Sequence, residues 1–417
     1  MSDQGRPPLA ATFRELFGAL AAIGRDPRGG WSRFAWTAED AAARAWFAAE
    51  AGRRGLAVEV DAAGNQWAWW LPASGEPAGR PAGAVVTGSH LDTVPGGGAY
   101  DGALGVVSAL LAVDLLRAEG GEPRRPLAVV AFADEEGARF NLPTYGSKAL
   151  SGQLDVDAAL RRRDVAGVTL AEALAAASMP APRRDDELLG RVAAFVELHV
   201  EQGRGLADLD AALAVATGIW PHGRWRLDAR GEANHAGTTR MADRRDPAAV
   251  LAVAIESARE HAIELDAVAT VGRVLVEPNG TNAVPSAVTA WLDARAVDDN
   301  ALEQLVQGFE SDVTEAGERY GVEVTLGQES FSPAVQFDPE LAERVAGSLD
   351  RIGLPAVRLP TAAGHDAGTL APIVPTAMLF VRNPTGVSHS PAESASDEDC
   401  VTGIRALAAV IEDLACR

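Results

Sequence analysis

Two segments near the start, FRELFGALAAIG and AEDAAARAWFAAEAGRRG, place apolar residues three and four apart, the spacing of one helix face. Asp40 and the alanines beside it suit a helix start. LAVEVDAAGNQWAWWLP alternates around a Gly-Asn turn and predicts a hairpin. GAVVTGSH is a short apolar run closing on polar residues, as a buried strand does. From Gly102, GALGVVSALLAVDLLRAEG predicts a helix with a glycine stop. RPLAVVAFADEEG repeats the strand followed by carboxylates, and RVAAFVELHVEQGRGL gives another strand with a polar end. Residues 151–190, rich in Ala, Arg and Asp, read as helical and exposed. Strands alternating with helices predict an α/β fold, a mostly parallel sheet flanked by helices. In such sheets ligands bind beyond the carboxyl ends of the strands.

The texture changes near Leu213. LAVATGIWPHGRWRLDARGEA alternates like antiparallel strands, DPAAVLAVAIESAREHAI is a helix, and further strands follow at VATVGRVLVE, SAVTAWLDARAV and VEVTLGQES. The helix/strand alternation resumes after FSPAVQFDPE, with TAMLFVRN as a core strand and a final helix at 397–415. This predicts a discontinuous domain of residues 1–212 and 332–417, with an α+β unit of residues 213–331 inserted. A chain of 417 residues exceeds what one hydrophobic core usually organises, which agrees with two domains.

Composition removes several function classes. A net charge of −21 repels nucleic acid and anionic membrane surfaces, so neither is expected as a partner. A small anionic substrate stays possible, because a local arginine outweighs a distant average. No run of eighteen apolar residues spans a membrane. The N-terminus lacks a basic segment followed by an apolar one. The two cysteines, Cys400 and Cys416, make no disulfide framework. A cytoplasmic protein is the expectation.

There are seven histidines, so the position of each is informative. His90 and Asp101 flank three glycines that let the loop fold back toward one ion, and imidazole with carboxylate suits zinc or manganese. Glu135 and Glu136 follow an apolar strand and point in different directions, so one can bind metal while the other moves a proton. His199 ends another strand, and His389 follows a fourth. With Asp92, this makes seven imidazoles and carboxylates at the ends of four predicted strands. One metal needs three or four ligands, so the number suits two metals bridged by one carboxylate.

The order of GSHLDTVPGGGAYDG, ADEEGARF, ELHVEQG, GEANHAGTTRM, PNGTNAVPS, LDAR, AAGHDAG and GVSHSPAE resembles the metal-dependent amidohydrolases of the M20 peptidase superfamily. Within it, the chain is similar to the branch of N-carbamoyl-L-amino-acid hydrolases, β-ureidopropionases and allantoate amidohydrolases. GNQWAW and IWPHGRWR look most like the last group. The resemblance implies a di-zinc aminopeptidase-like catalytic domain and two divalent ions, zinc or manganese. Asp101 would bridge them; His90 and His199 would complete one site, Glu136 and His389 the other. Glu135 would be the general base, and Asp92 would orient His90. A cis peptide is implied at Asp101–Gly102. The inserted unit would be a lid and dimerisation domain of a homodimer. In it, His235 would stabilise an oxyanion, across the dimer if so arranged, and Asn282 with Arg295 would clamp the substrate carboxylate. Gln202 would contact the ureido group, and Gly364 and His365 would line the pocket. The implied reaction is hydrolysis of a small anionic ureido substrate: allantoate to ureidoglycine, ammonia and carbon dioxide. N-carbamoyl-L-amino acids or N-carbamoyl-β-alanine are the alternative substrates, and a silent binding protein on the same scaffold is the alternative of another class.

Overall fold

The computed structural model describes residues 7–72 and 83–417. The chain divides into two compact units, one of residues up to Thr217 together with Gln336–Arg417, the other Gly218–Val335. In chain order the first contributes β1 (Ala57–Val60), β2 (Gln66–Trp70), β3 (Ala84–His90), β4 (Leu127–Phe132), β5 (Val192–Val200) and β6 (Leu213–Ile219). The middle of the chain supplies β7 (His222–Arg230), β8 (Asn234–His235), β9 (Val268–Glu277), β10 (Ala283–Val284), β11 (Ala287–Arg295) and β12 (Glu323–Ser332). After these come β13 (Val335–Gln336), β14 (Val357–Thr361) and β15 (Thr376–Val381).

Nine of these strands form one mixed sheet in the order β1-β2-β4-β3-β5-β15-β6-β13, with β14 on β6. Its centre, β4-β3-β5-β15, is parallel, whereas β1, β2 and β6 join antiparallel. Strands β3, β4 and β15 are buried at every position, the expected signature of a sheet covered on both faces. Close approach of β3 to β4 requires glycine at position 88. Its φ is +145°, and a Cβ there would overlap the Val130 carbonyl. The helices Leu9–Ala21, Ala103–Ala118 and Asp397–Ile411 pack together in the main core.

Two expectations need correction. The change of unit falls at 217/218 and 335/336, not at 212/213 and 331/332, because β6 stays paired with β15 through Val215. Residues 151–190 are only partly exposed. Their short helices bury Leu170 and Leu174 beside Phe140 and Tyr145, and Leu188 elsewhere.

The unit Gly218–Val335 is a four-stranded antiparallel sheet, order β12-β7-β11-β9, with β8 and β10 paired separately. Positions along β7 and β11 alternate in burial, so the helices Pro247–Glu264 and Asp299–Tyr320 cover one face, over Leu227, Val288 and Leu292, with Phe309 of the second helix in the same core. Among the described residues, no helix is long and apolar enough to cross a membrane.

Candidate metal centre

The carboxyl ends of the parallel strands carry the predicted polar residues. His90 is the last residue of β3, His199 lies one residue from the end of β5, and Glu135 and His389 follow β4 and β15. Asp101 stands beside the helix Ala103–Ala118, whose N-terminal N–H groups favour negative charge.

Asp101 is the hub. Its Oδ1 lies 3.2 Å from His199 Nε2 and 3.4 Å from His90 Nε2. Its Oδ2 lies 3.3 Å from His389 Nε2, which is itself 3.5 Å from Glu136 Oε2. Two three-residue groups result, His90–Asp101–His199 and Asp101–Glu136–His389, each with donor atoms within 4.8 Å of one another. Imidazole nitrogens and carboxylate oxygens in this arrangement fit divalent zinc or manganese. The Nδ1 atoms of His90 and His199 face the carbonyl oxygens of Asp92 (3.1 Å) and Val200 (2.9 Å), contacts that direct Nε2 toward the centre.

The electrostatics suit a site for cations. Burial works against charge on Asp101, but hydrogen bonds from His199, His389 and His90 hold its carboxyl well below the usual range. Burial, reinforced by the Asp101 charge, pushes Glu136 up to about 7. Burial likewise raises Glu135 well above an ordinary glutamate. The hydrogen bond to Asp101 raises His389 to about 9.

The supporting residues differ in part from expectation. Asp92 meets His90 chiefly through its backbone carbonyl, since its carboxylate is 3.6 Å from His90 Nδ1. That carboxylate instead accepts the backbone N–H groups of Glu135 (3.1 Å) and Glu136 (3.0 Å), fixing the turn that carries both. Glu135 Oε2 lies 3.8 Å from His90 Nε2. Gln202 donates to Asp101 Oδ2 at 3.0 Å, so it sits on the hub itself. Gly364 is exposed, and His365 is buried with no hydrogen-bond partner for Nε2. The Asp101–Gly102 peptide is not cis; among the described residues the cis bond is Glu277–Pro278. Gly102, at φ +63°, makes the turn into the helix, and its N–H donates to His199 Nε2 at 3.1 Å, a contact an ion would displace.

The residues of the inserted unit fall into two places. His235 pairs with Ala283 between β8 and β10, which puts Asn282 beside it. Arg295 is at the far end of β11, its Nε 3.0 Å from Asp293 Oδ1, with Arg224 on the other Asp293 oxygen. Eight residue steps along β11 separate Ala287 from Arg295, about 26 Å at the rise of a strand.

Sequence reasoning missed Glu197, Asp366 and Glu393. Glu197 is fully buried, accepting from Ser89 Oγ (2.6 Å) and Ala367 N–H (3.0 Å), and it groups with His199 and His365 as a further candidate set. Its signal was available: in ELHV it shares the face of His199, two residues on. Asp366 accepts from Ser147 Oγ at 2.5 Å.

Residues 86–413 match the family described as peptidase family M20/M25/M40. The chain is 36% identical to an N-carbamoyl-L-amino acid amidohydrolase of Geobacillus stearothermophilus, covering 95% of this chain and 96% of that protein. It is 32% identical to the allantoate amidohydrolase of Escherichia coli, at 95% and 96% coverage. A solved amidase of the hydantoinase/carbamoylase family from Burkholderia multivorans superposes with a TM-score of 0.85 at 31% identity, covering 98% of each chain.

Proposed function

This chain belongs to peptidase family M20/M25/M40, and from that premise we propose that it hydrolyses linear ureido (carbamoyl) amides with two divalent metal ions, zinc or manganese. The observation that carries the reading is the division of Asp101, one oxygen toward His90 and His199, the other toward His389 and thence Glu136. A carboxylate so placed can bridge two cations a few ångströms apart. Bound ions would supply Lewis acidity, polarising the carbamoyl group and easing deprotonation of water.

The chain's own residues supply the rest. Glu135 accepts a proton from the attacking water and returns it to the leaving nitrogen; a raised carboxyl pKa suits a group that both takes and gives. His235 donates to the developing oxyanion. The guanidinium of Arg295 pairs with the substrate carboxylate, exchanging its present partner Asp293 for it. Carbamate is released and decays to ammonia and carbon dioxide. Arg295 and Ala287 close opposite ends of β11, and Asn282 with His235 belongs to the separate β8–β10 pair; in this reading a second copy supplies some of the three residues. This supports a homodimer whose inserted units serve as lids.

The substrate assigned is allantoate, giving ureidoglycine, ammonia and carbon dioxide. N-carbamoyl-L-amino acids are the second reading, favoured by the 36% identity to the Geobacillus stearothermophilus amidohydrolase. The test strips the protein with chelator, reloads it with Mn²⁺ or Zn²⁺, and measures ammonia from allantoate, N-carbamoyl-L-methionine and N-carbamoyl-β-alanine. Preference for the second compound selects the second reading; release from none of them sinks both.

A further inference from the structure

We propose that Glu393 is a positioning residue that sets the separation of the two metal positions by tying the loop of Asp101 to the loop of His389. The inference rests on the two-ion reading above. Glu393 is buried, and its Oε2 accepts the backbone N–H groups of Tyr100 (2.8 Å) and Asp101 (3.1 Å), residues 293 and 292 positions away. Its Oε1 accepts from Ser388 Oγ at 3.1 Å, on the residue next to His389. The Glu393 N–H donates to the Ser390 carbonyl at 3.0 Å, closing the turn around His389 from the other side.

The two loops differ in how firmly they are otherwise held. Asp101 is buried and meets three imidazoles. His389 has a side chain 51% exposed and a left-handed backbone, φ +53°, which costs a non-glycine residue about 1 kcal/mol or more. Packing therefore does little to fix its ring, and the Ser388–Glu393 bond supplies an anchor. The glycine loop is shaped to admit this carboxylate. A Cβ at Gly98 would overlap it, while Gly97 pairs by backbone hydrogen bonds with Trp31 on the other side. Side chains that brace a metal ligand typically change metal affinity by about 10- to 100-fold when removed. Here the loss falls unevenly: the Asp101–Glu136–His389 position depends on both loops, whereas the His90–Asp101–His199 position depends on one.

The test titrates chelator-stripped full-length protein with Zn²⁺ by calorimetry, and with Co²⁺ while following its visible absorption. The wild type takes up two ions. Glu393→Ala keeps the tighter ion and binds the second at least tenfold more weakly. Glu393→Gln, whose carbonyl can accept both N–H groups while its amide donates to Ser388, restores the second site to within a few-fold. Ser388→Ala, which leaves Glu393 and its backbone contacts in place, weakens the second ion about fivefold, the worth of one hydrogen bond. Equal affinities for both ions in Glu393→Ala and Ser388→Ala overturn this proposal alone, as does an equal loss at both sites in Ser388→Ala. A wild type that takes up fewer than two ions overturns the two-ion reading and this proposal with it.

Discussion

At the scale of single residues, Glu135 and Glu136 show how adjacent identical side chains part company. Glu136 lies within reach of His389, while Glu135 lies off the ligand sets, 3.8 Å from His90 and raised by burial. Replacing Glu135 by Gln keeps the volume and removes the proton acceptor. Turnover should fall by about 10²- to 10⁴-fold while the two ions still bind, checked by ammonia release alongside metal analysis. Preserved turnover would refute Glu135 as the base. The five residues of the metal groups were legible because histidine is rare in this chain and polar residues close apolar strands or sit in the loops that follow them. Glu197 was marked more faintly, by a carboxylate on the same strand face as His199, two residues before it. Glu393 was not, because nothing local marks a carboxylate that serves a backbone 292 positions distant. The motif order of Asn282 and Arg295 carries no information on the elements that hold them: Asn282 precedes β10, and Arg295 ends β11.

At the scale of elements, the junction between β3 and the helix Ala103–Ala118 holds the centre together, and Gly102 is the point at which it closes on His90. A Cβ there would meet the His90 ring at 2.5 Å, and φ is +63°. Gly120, at the other end of the same helix, shares the left-handed backbone (φ +77°), but a Cβ added to it would have nothing within 4 Å. Alanine at each position compares a crowded glycine with an open one. Gly120→Ala should lose about 1 kcal/mol in a denaturant titration and bind metal normally. Gly102→Ala should lose more, because its ψ of −48° lies outside the left-handed helical well, and should also lose the ion beside His90, read as metal stoichiometry. Equal metal uptake by the two variants would show that the approach to His90 is unimportant. The strand and helix order of this unit was readable from hydrophobic period alone. The unit boundary was not, because the alternation of LAVATGI is the same whether that strand closes one sheet or opens the next.

At the scale of the whole molecule, the centre concentrates negative charge that folding alone does not offset. Without ions, burial and Asp101 raise Glu136 from 4.5 to about 7, and Asp101 raises His389 from 6.5 to about 9. Both groups then hold protons more tightly in the folded than in the unfolded chain. The folded state therefore binds more protons across pH 4.5–9, and stability of the metal-free protein falls as pH rises through that window. For His389 the contribution is fully present below about 6.5 and is gone above about 9; for Glu136 it is present below about 4.5 and gone above about 7. Ions entering the site must displace these same protons, so metal binding strengthens over the same range and releases protons. The two trends oppose each other. The difference in Tm between metal-loaded and chelator-treated protein should widen steadily from pH 6 to pH 9, and calorimetric titrations at pH 7 in two buffers of different ionisation enthalpy should show proton release. A Tm difference that stays constant or narrows toward pH 9 would mean that Glu136 and His389 do not carry the protons the ions replace, and so do not form the second metal position.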